Sequence, residues 1–440
     1  MNQTDHDKAA AWPQPRRGWL LVGLLALASV VSQFDRTVIN LMVGPIKAEF
    51  GLSDTAFGSL QSVAFGIFYV VACIPLGRIA DNGNRKWLLA VCLGLWSLFA
   101  MASGLARTYW QLFLTRIGVA VGEASLTPAA LSMLSDSFPP HRLGRPVAGF
   151  LMSAPLGQGL AFIGGGSLLA ALTGSSLLAP GGLMAGLEPW HAAFLIIGAP
   201  GLLLVPAFLL MREPERRGAR VDGIPARETA RLIGSMWRAL VPMFLGFAMV
   251  LLFSYSVAIW TPALLERVHG WNSAEIGWGF GLVMIAFGMT GVIFGGWAND
   301  WLAEKGHRDA PLKVAAATFA IGGAAGVAAP LMPSGGLTLA ALAVALFFGQ
   351  MAFPCAATSL QLIVPNRARA QISAVYVTFT TLVGLGVGPT VIGLMNDLVF
   401  GPEHIDKSMA LVIGVAAPVM VVMMLLAMKP YRAFHEAEQG

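Results

Sequence analysis

What most restricts the fold of this chain is the stretch Gly18 to Val43, GWLLVGLLALASVVSQFDRTVINLMV, twenty-six residues and almost wholly apolar. At about 1.5 Å rise per residue it is long enough to cross a bilayer core of roughly 30 Å. Yet Asp35 and Arg36 lie well past its midpoint. One ionisable side chain in hydrocarbon costs about 2.5–3.5 kcal/mol on insertion scales, so two in succession need a protein or water-lined refuge. A plain anchor has no use for them. A helix facing an internal cavity does, and the competing explanation is a closed structural pair near a helix end.

Composition extends this to the whole chain. Of 440 residues, 56% are hydrophobic and 12% charged, where soluble domains carry about 25% charged residues. The chain is therefore an integral, multi-pass membrane protein. Cys73, Cys92 and Cys355 all fall inside apolar runs and read as small packing residues, neither disulfides nor metal ligands. The polar start of the chain lacks a cleavable apolar core, so Gly18 opens a first span and not a signal peptide.

Runs of spanning length occur about twelve times, from 18–43 through 408–428. With the N-terminus inside, 22 of the 28 Lys and Arg fall in inner segments, and outer loops hold only Lys47, Arg107, Arg267 and Lys407. That bias places both termini in the cytoplasm of a cell whose plasma membrane, expected to be a bacterial inner membrane, holds the protein. The polar stretch 212–238 separates six spans from six and reads as a linker with a short amphipathic helix. The expected division is a six-helix bundle over 1–211, the linker, and a second six-helix bundle over 239–440. A repeat supports it: GRIADNGNRK (Gly77 to Lys86) and GWANDWLAEK (Gly296 to Lys305) both place Gly four residues before Asp and Lys five after. Like signals six spans apart imply parallel repeats with a site between the halves, as in alternating-access transporters.

The chemistry concentrates in the first half. Arg116 and Glu123 are two helical turns apart on one face of the fourth run, and Gly118 and Gly122 form a small-xxx-small pair for close helix contact. Arg116 lies roughly 9 Å below the outer surface and Asp35 about 25 Å above the inner one, which makes them partners at matched depth. Glu123 sits nearer the midplane, where charge is most expensive. Asp35 and Glu123 are the proton-coupling candidates; Arg36 and Arg116 are the substrate-binding ones. Asp81, Arg85 and Lys86, with Asp300 and Lys305 in the second copy, are expected at the inner surface as gate residues. The glycines and Pro155 of the fifth run read as packing and hinge elements against the first or eighth, with Gln158 turned to the cavity. In the second half, Tyr255, Tyr376 and Phe379 read as an apolar wall, although ordinary helix packing explains them equally. A cavity charged on one side and greasy on the other suits an amphiphile.

The twelve-span plan and the repeated Gly–Asp–Lys loop resemble the major facilitator superfamily. Within it, FDRTVINLMVGPIKAEFGLSD (Phe34 to Asp54), LTRIGVAVGEAS (Leu114 to Ser125) and SAPLGQGLAFIGG (Ser153 to Gly165) resemble the spinster-type lipid transporters. The resemblance implies the superfamily's all-α fold, with twelve transmembrane helices in two parallel six-helix repeats, and proton-linked movement of lysolipids or sphingoid amphiphiles. It also implies that Asp35, Arg36, Arg116 and Glu123 serve coupling and head-group recognition. The second loop copy departs from the first, with Glu304 where Arg85 would correspond.

The expected function is thus a proton-coupled secondary transporter of an amphiphilic or organic anion, working as a monomer among membrane lipids. It needs no cofactor, metal or nucleic acid. The alternatives are a multidrug exporter or a sugar-acid/organic-anion symporter of the same fold. A lipid enzyme is disfavoured because no histidine sits deep in a span beside a serine or cysteine, and the glycine-rich runs lie within spans. A channel would not need a paired Asp and Arg in one half.

Overall fold

The computed structural model describes residues 15–139, 142–216 and 225–439; the N-terminal tail and the middle of the linker lie outside the described residues. Among these residues, twelve helices are long and apolar enough to span a membrane: Arg16–Leu41, Asp54–Asn82, Arg85–Ser103, Tyr109–Ser137, Gly144–Leu172, Pro189–Leu210, Trp237–His269, Ser273–Glu304, Ala310–Leu331, Gly335–Ile363, Arg367–Phe400 and Ile405–Glu436. They are called spans 1 to 12 below. Many of their large side chains are exposed, among them Leu20, Val71, Leu114, Trp297 and Leu425, as expected of helices solvated by hydrocarbon.

Local sequence sets the starts of these helices. Ser53, Asn84, Thr108 and Ser334 each accept a backbone N–H from the first turn that follows, and Asn272 with Glu275 forms a reciprocal capping box. The caps also correct the expected loops. Span 2 runs to Asn82 and span 3 begins at Arg85, so Asp81 is helical and only Gly83 and Asn84 make the turn. Likewise Asp300 lies inside span 8, which continues to Glu304. The helix propagates from the apolar run through Asp81 and Asp300 although Asp is a poor helix former, and Asn84 caps the start of span 3. Outside the spans, a short helix, Val43–Phe50, joins span 1 to span 2, and the linker contains the helix Ala226–Ser235.

Packing divides the chain into two compact units. The first comprises the chain to Arg36, Phe68–Gln158, and Ser176 onward to the linker. In it, span 3 packs chiefly on spans 4 and 6. The expected small pair on span 4 is what lets span 3 approach: a Cβ at Gly118 would lie 2.4 Å from the Phe99 ring, and one at Gly122 2.7 Å from Trp96 Cβ. The second unit comprises Thr37–Ile67, Gly159–Ser175 and the chain from the linker helix on. Span 7 packs there against spans 11 and 12, and span 9 against spans 10 and 12.

Three spans change unit part-way, each at an irregularity. Span 1 passes from α-helix to a 3-10 turn, Val38–Leu41, at the β-branched run Thr37–Val38–Ile39. Span 2 carries π-helical turns over Leu60–Ile67, ending at the boundary. Span 5 crosses beside Pro155, between Gly157 and Gly159.

Candidate functional site

The charged cluster is built where span 1 leaves its α-helical form. Carbonyls in the last turn of an α-helix lose their usual donors, and the Asp35 carbonyl accepts the Arg116 Nη1 of span 4 at 3.0 Å. Asp35, Arg116 and Glu123 are all buried, at 0%, 0% and 2% exposure. Arg36, the next residue along, reaches Glu123 with an Nη2–Oε2 distance of 2.8 Å and keeps 19% of its side chain exposed. Its guanidinium also lies 5.0 Å from the centre of the Tyr69 ring on span 2. Of the four charged side chains, Arg36 is the one that keeps appreciable exposure.

The Asp35 carboxylate is the least satisfied group in this cluster. Trp96 lies beside it, as do the charges of Arg116 and Glu123, but neither oxygen accepts a hydrogen bond of sound geometry among the described residues. Trp96 occupies that place only because Gly122 opposite it has no side chain. The second oxygen of Glu123, Oε1, also accepts no hydrogen bond. An unbonded buried acceptor costs about 1–3 kcal/mol, more if charged. Sequence depth paired Asp35 with Arg116; the structure puts Arg116 on the Asp35 backbone and pairs Glu123 with Arg36.

The expected gate residues separate in the same way. Arg85 is fully buried, away from the surface placement expected of it. It bonds Asp136, the Glu213 carboxylate at 3.0 Å, Ser132 Oγ at 3.0 Å and the Pro214 carbonyl at 2.7 Å. Lys86 donates to the Leu209 carbonyl at 3.0 Å. This gathers the ends of spans 3, 4 and 6 around one guanidinium, a role its short turn conceals. Asp81 and Asp300 are exposed. Lys305 stacks on Trp301 at 3.5 Å. Gln158 is half-buried on span 5, as is Tyr255 on span 7, and Tyr376 packs 5.4 Å from Phe244, with Phe379 6.2 Å from the same ring.

A second charged cluster, in the other unit, was not expected. Asp54, at the start of span 2, has a fully buried side chain. Arg267 of span 7 clasps it with two nitrogens, both at 2.8 Å. Lys47 and Asn396 also bond its carboxylate. Asp397 in turn accepts the Asp54 backbone N–H at 3.0 Å, the Thr55 N–H at 2.7 Å and the Thr55 hydroxyl at 2.6 Å. Ser53–Asp54 reads in sequence as an ordinary helix start. Lys47 is seven residues away, but the partners from spans 7 and 11 lie 213 to 343 residues away, beyond any local signal.

Span 5 supplies close contacts on both sides of its boundary. Gly157 meets Val30 and Gln33 of span 1, while Gly159 and Gly166 meet Gly281, Ile285, Ser273 and Gly277 of span 8. At Gly166 a Cβ would lie 2.2 Å from the Ser273 carbonyl oxygen, so no larger residue fits.

The sequence pattern that defines the Major Facilitator Superfamily matches residues 25–389. The chain belongs to that superfamily. As a superfamily member its fold and family are those of membrane transporters, and the resemblance to the spinster type is shown by relatives. It is 32% identical to an "MFS-type efflux pump" of Mycolicibacterium smegmatis, over 95% of this chain and 94% of that one. It is 29% identical to human "Protein spinster homolog 1", over 87% of this chain and 74% of the other. Among solved structures it is similar to a bacterial homologue of the human lysosomal transporter spinster, described as inward-facing and unoccupied. There the TM-score is 0.76 and the identity 25%, over 97% of this chain and 98% of that one.

Proposed function

We propose that this superfamily transporter is proton-coupled and moves an amphiphilic or other organic anion, of the lysolipid or sphingoid kind, by alternating access. It works as a monomer in a plasma membrane with both termini cytoplasmic, and its halves are the bundles 1–211 and 239–440 joined by 212–238. The observation that carries this reading is the wholly buried Asp35 carboxylate, held beside Trp96, Arg116 and Glu123, next to a partly exposed Arg36–Glu123 pair. The Asp35 carboxyl is the proton carrier of this reading. Arg36 is the head-group residue, because a guanidinium recognises carboxylate or phosphate in two-pronged fashion and this one keeps appreciable exposure. Arg116, fully buried on the Asp35 carbonyl, holds the cluster's frame. An arriving anion competes with Glu123 for Arg36, and protonation of Glu123 or Asp35 lowers the cost of that exchange. Tyr255 and Tyr376 serve the greasy end of the cargo, and Gln158 is a further substrate-binding residue of this reading.

In this reading the Asp54–Arg267 cluster shuts the outer side. The positive-inside bias puts Lys47 and Arg267 outside, and the cluster ties the loop after span 1 to spans 7 and 11. Asp81, Lys86, Asp300 and Lys305 belong to the inner gate, with Arg85 as its buried post. The efflux-pump relative supports a second reading, export of varied apolar cargo, for which the Phe244–Tyr376–Phe379 wall would suffice.

The test is transport in reconstituted vesicles with a panel of lysolipids, fatty acids, sugar acids and neutral drugs, with and without a pH gradient. The expected result is gradient-accelerated movement of anionic amphiphiles by the wild type and none above background by Asp35→Asn. Preference for neutral drugs favours the exporter. Indifference to the gradient overturns coupling.

A further inference from the structure

Arg36 is a long side chain in the last α-helical turn of span 1, just before the 3-10 turn. Its contacts include the Glu123 carboxylate at 2.8 Å and the face of the Tyr69 ring at 5.0 Å. These contacts differ in what they can survive. In the proposed cycle an anionic head group takes the place of Glu123, so the ion pair must be given up when cargo binds. The ring is no competitor for an anion. It attracts the guanidinium through its π face and leaves the N–H edge free for two-pronged hydrogen bonds. Tyr69 follows the π-helical turns of span 2 by two residues, and such turns rotate the side chains beyond them away from a regular helix face.

We propose that Tyr69 is the positioning residue for anion recognition: it holds the Arg36 guanidinium in place while Glu123 releases it. This rests on the reading of Arg36 as the head-group residue. Tyr69 acts through its ring, not through its hydroxyl, and it acts on cargo affinity and not on the protein's stability.

The experiment uses the full chain in lipid nanodiscs and measures binding of three anions: lauroyl lysophosphatidylglycerol, laurate and gluconate. Tyr69→Leu is expected to weaken binding of whichever anion the wild type takes by about 5- to 30-fold, the range of a partly desolvated cation–π contact. Tyr69→Phe keeps the ring and is expected to stay within about 2-fold of wild type. In vesicles the Leu variant should raise KM with little change in maximal rate, because a positioning loss falls on binding. Wild-type affinity in Tyr69→Leu, with wild-type binding intact, overturns the role of Tyr69 and leaves Arg36 untouched. Loss in Tyr69→Phe as large as in Tyr69→Leu also overturns it, since the hydroxyl would then be the acting group. If the wild type takes gluconate but neither amphiphile, the amphiphile reading fails while Tyr69 is still tested on gluconate. If it binds none of the three, the anion site falls, and Tyr69 with it.

Discussion

Asp35 and Asp54 are both carboxylates with no solvent exposure, nineteen residues apart, and the surroundings of the two could hardly differ more. Asp54 is clasped by Arg267 and also bonded by Lys47 and Asn396, while Asp397 ties down the backbone around it. Asp35 has opposite charge and the Trp96 side chain near it, yet among the described residues neither of its oxygens accepts a hydrogen bond of sound geometry. A satisfied buried ion cluster resists change, because breaking it leaves a charge uncompensated at several kcal/mol. An unsatisfied one sits close to a change of state. The first arrangement suits a latch and the second a coupling site, and the two should fail differently when disturbed.

The largest difference is expected in coupling. Asp35→Asn should bring gradient-driven transport down to the downhill rate while the protein still expresses and folds, whereas Asp54→Asn should keep a response to the gradient. Vesicle assays with and without a pH gradient decide this, and equal loss in both variants would erase the distinction.

Next comes the latch itself. Arg267→Ala removes the two-pronged partner of a buried carboxylate, a change worth about 3–5 kcal/mol where a buried pair is broken. Gln61 is buried in span 2, seven residues beyond Asp54, and labelling of a Gln61→Cys reporter by an impermeant maleimide added outside should then rise at least tenfold. Arg36→Ala should leave that labelling unchanged, since it touches the other cluster.

A smaller effect separates the two arginines of the Asp35 cluster. Arg116→Lys loses a bond from a charged donor to the Asp35 carbonyl, worth about 1.5–3 kcal/mol, and should lower the melting temperature with little change in cargo affinity. Arg36→Lys should do the reverse, weakening anion binding while the melting temperature holds. Thermal unfolding and binding measured on the same samples would show whether burial has assigned the two roles correctly.

The smallest effect is expected at Asp81. It is exposed, so Asp81→Ala should leave thermal stability within about 0.5 kcal/mol. The buried Arg85, four residues on, should cost several times more when replaced by Ala, because Asp136 and Glu213 then lose their shared cation.

Much of this was written in the chain order. Hydrocarbon accepts helices readily and ionised groups hardly at all, so twelve apolar runs, the charge bias of the loops and the cost of Asp35, Arg36, Arg116 and Glu123 were all legible from residue types alone. The Gly118–Gly122 pair announced a close helix contact for the same reason, since spacing on one helix is a local property. Partner choice is not local. The pairing of Arg36 with Glu123, and of Arg116 with a backbone carbonyl, depended on where span 1 breaks from its α-helix and on Trp96 filling the space that Gly122 leaves. Arg85 looked like a surface charge because its turn is polar, and only packing of spans 3, 4 and 6 buried it. Asp54 drew no notice in the sequence because Arg267 and Asn396, which hold it, come from spans 7 and 11, hundreds of residues on. Sequence determined which groups had to be compensated in the membrane; tertiary structure decided by what, because the compensating atoms meet only when distant helices pack.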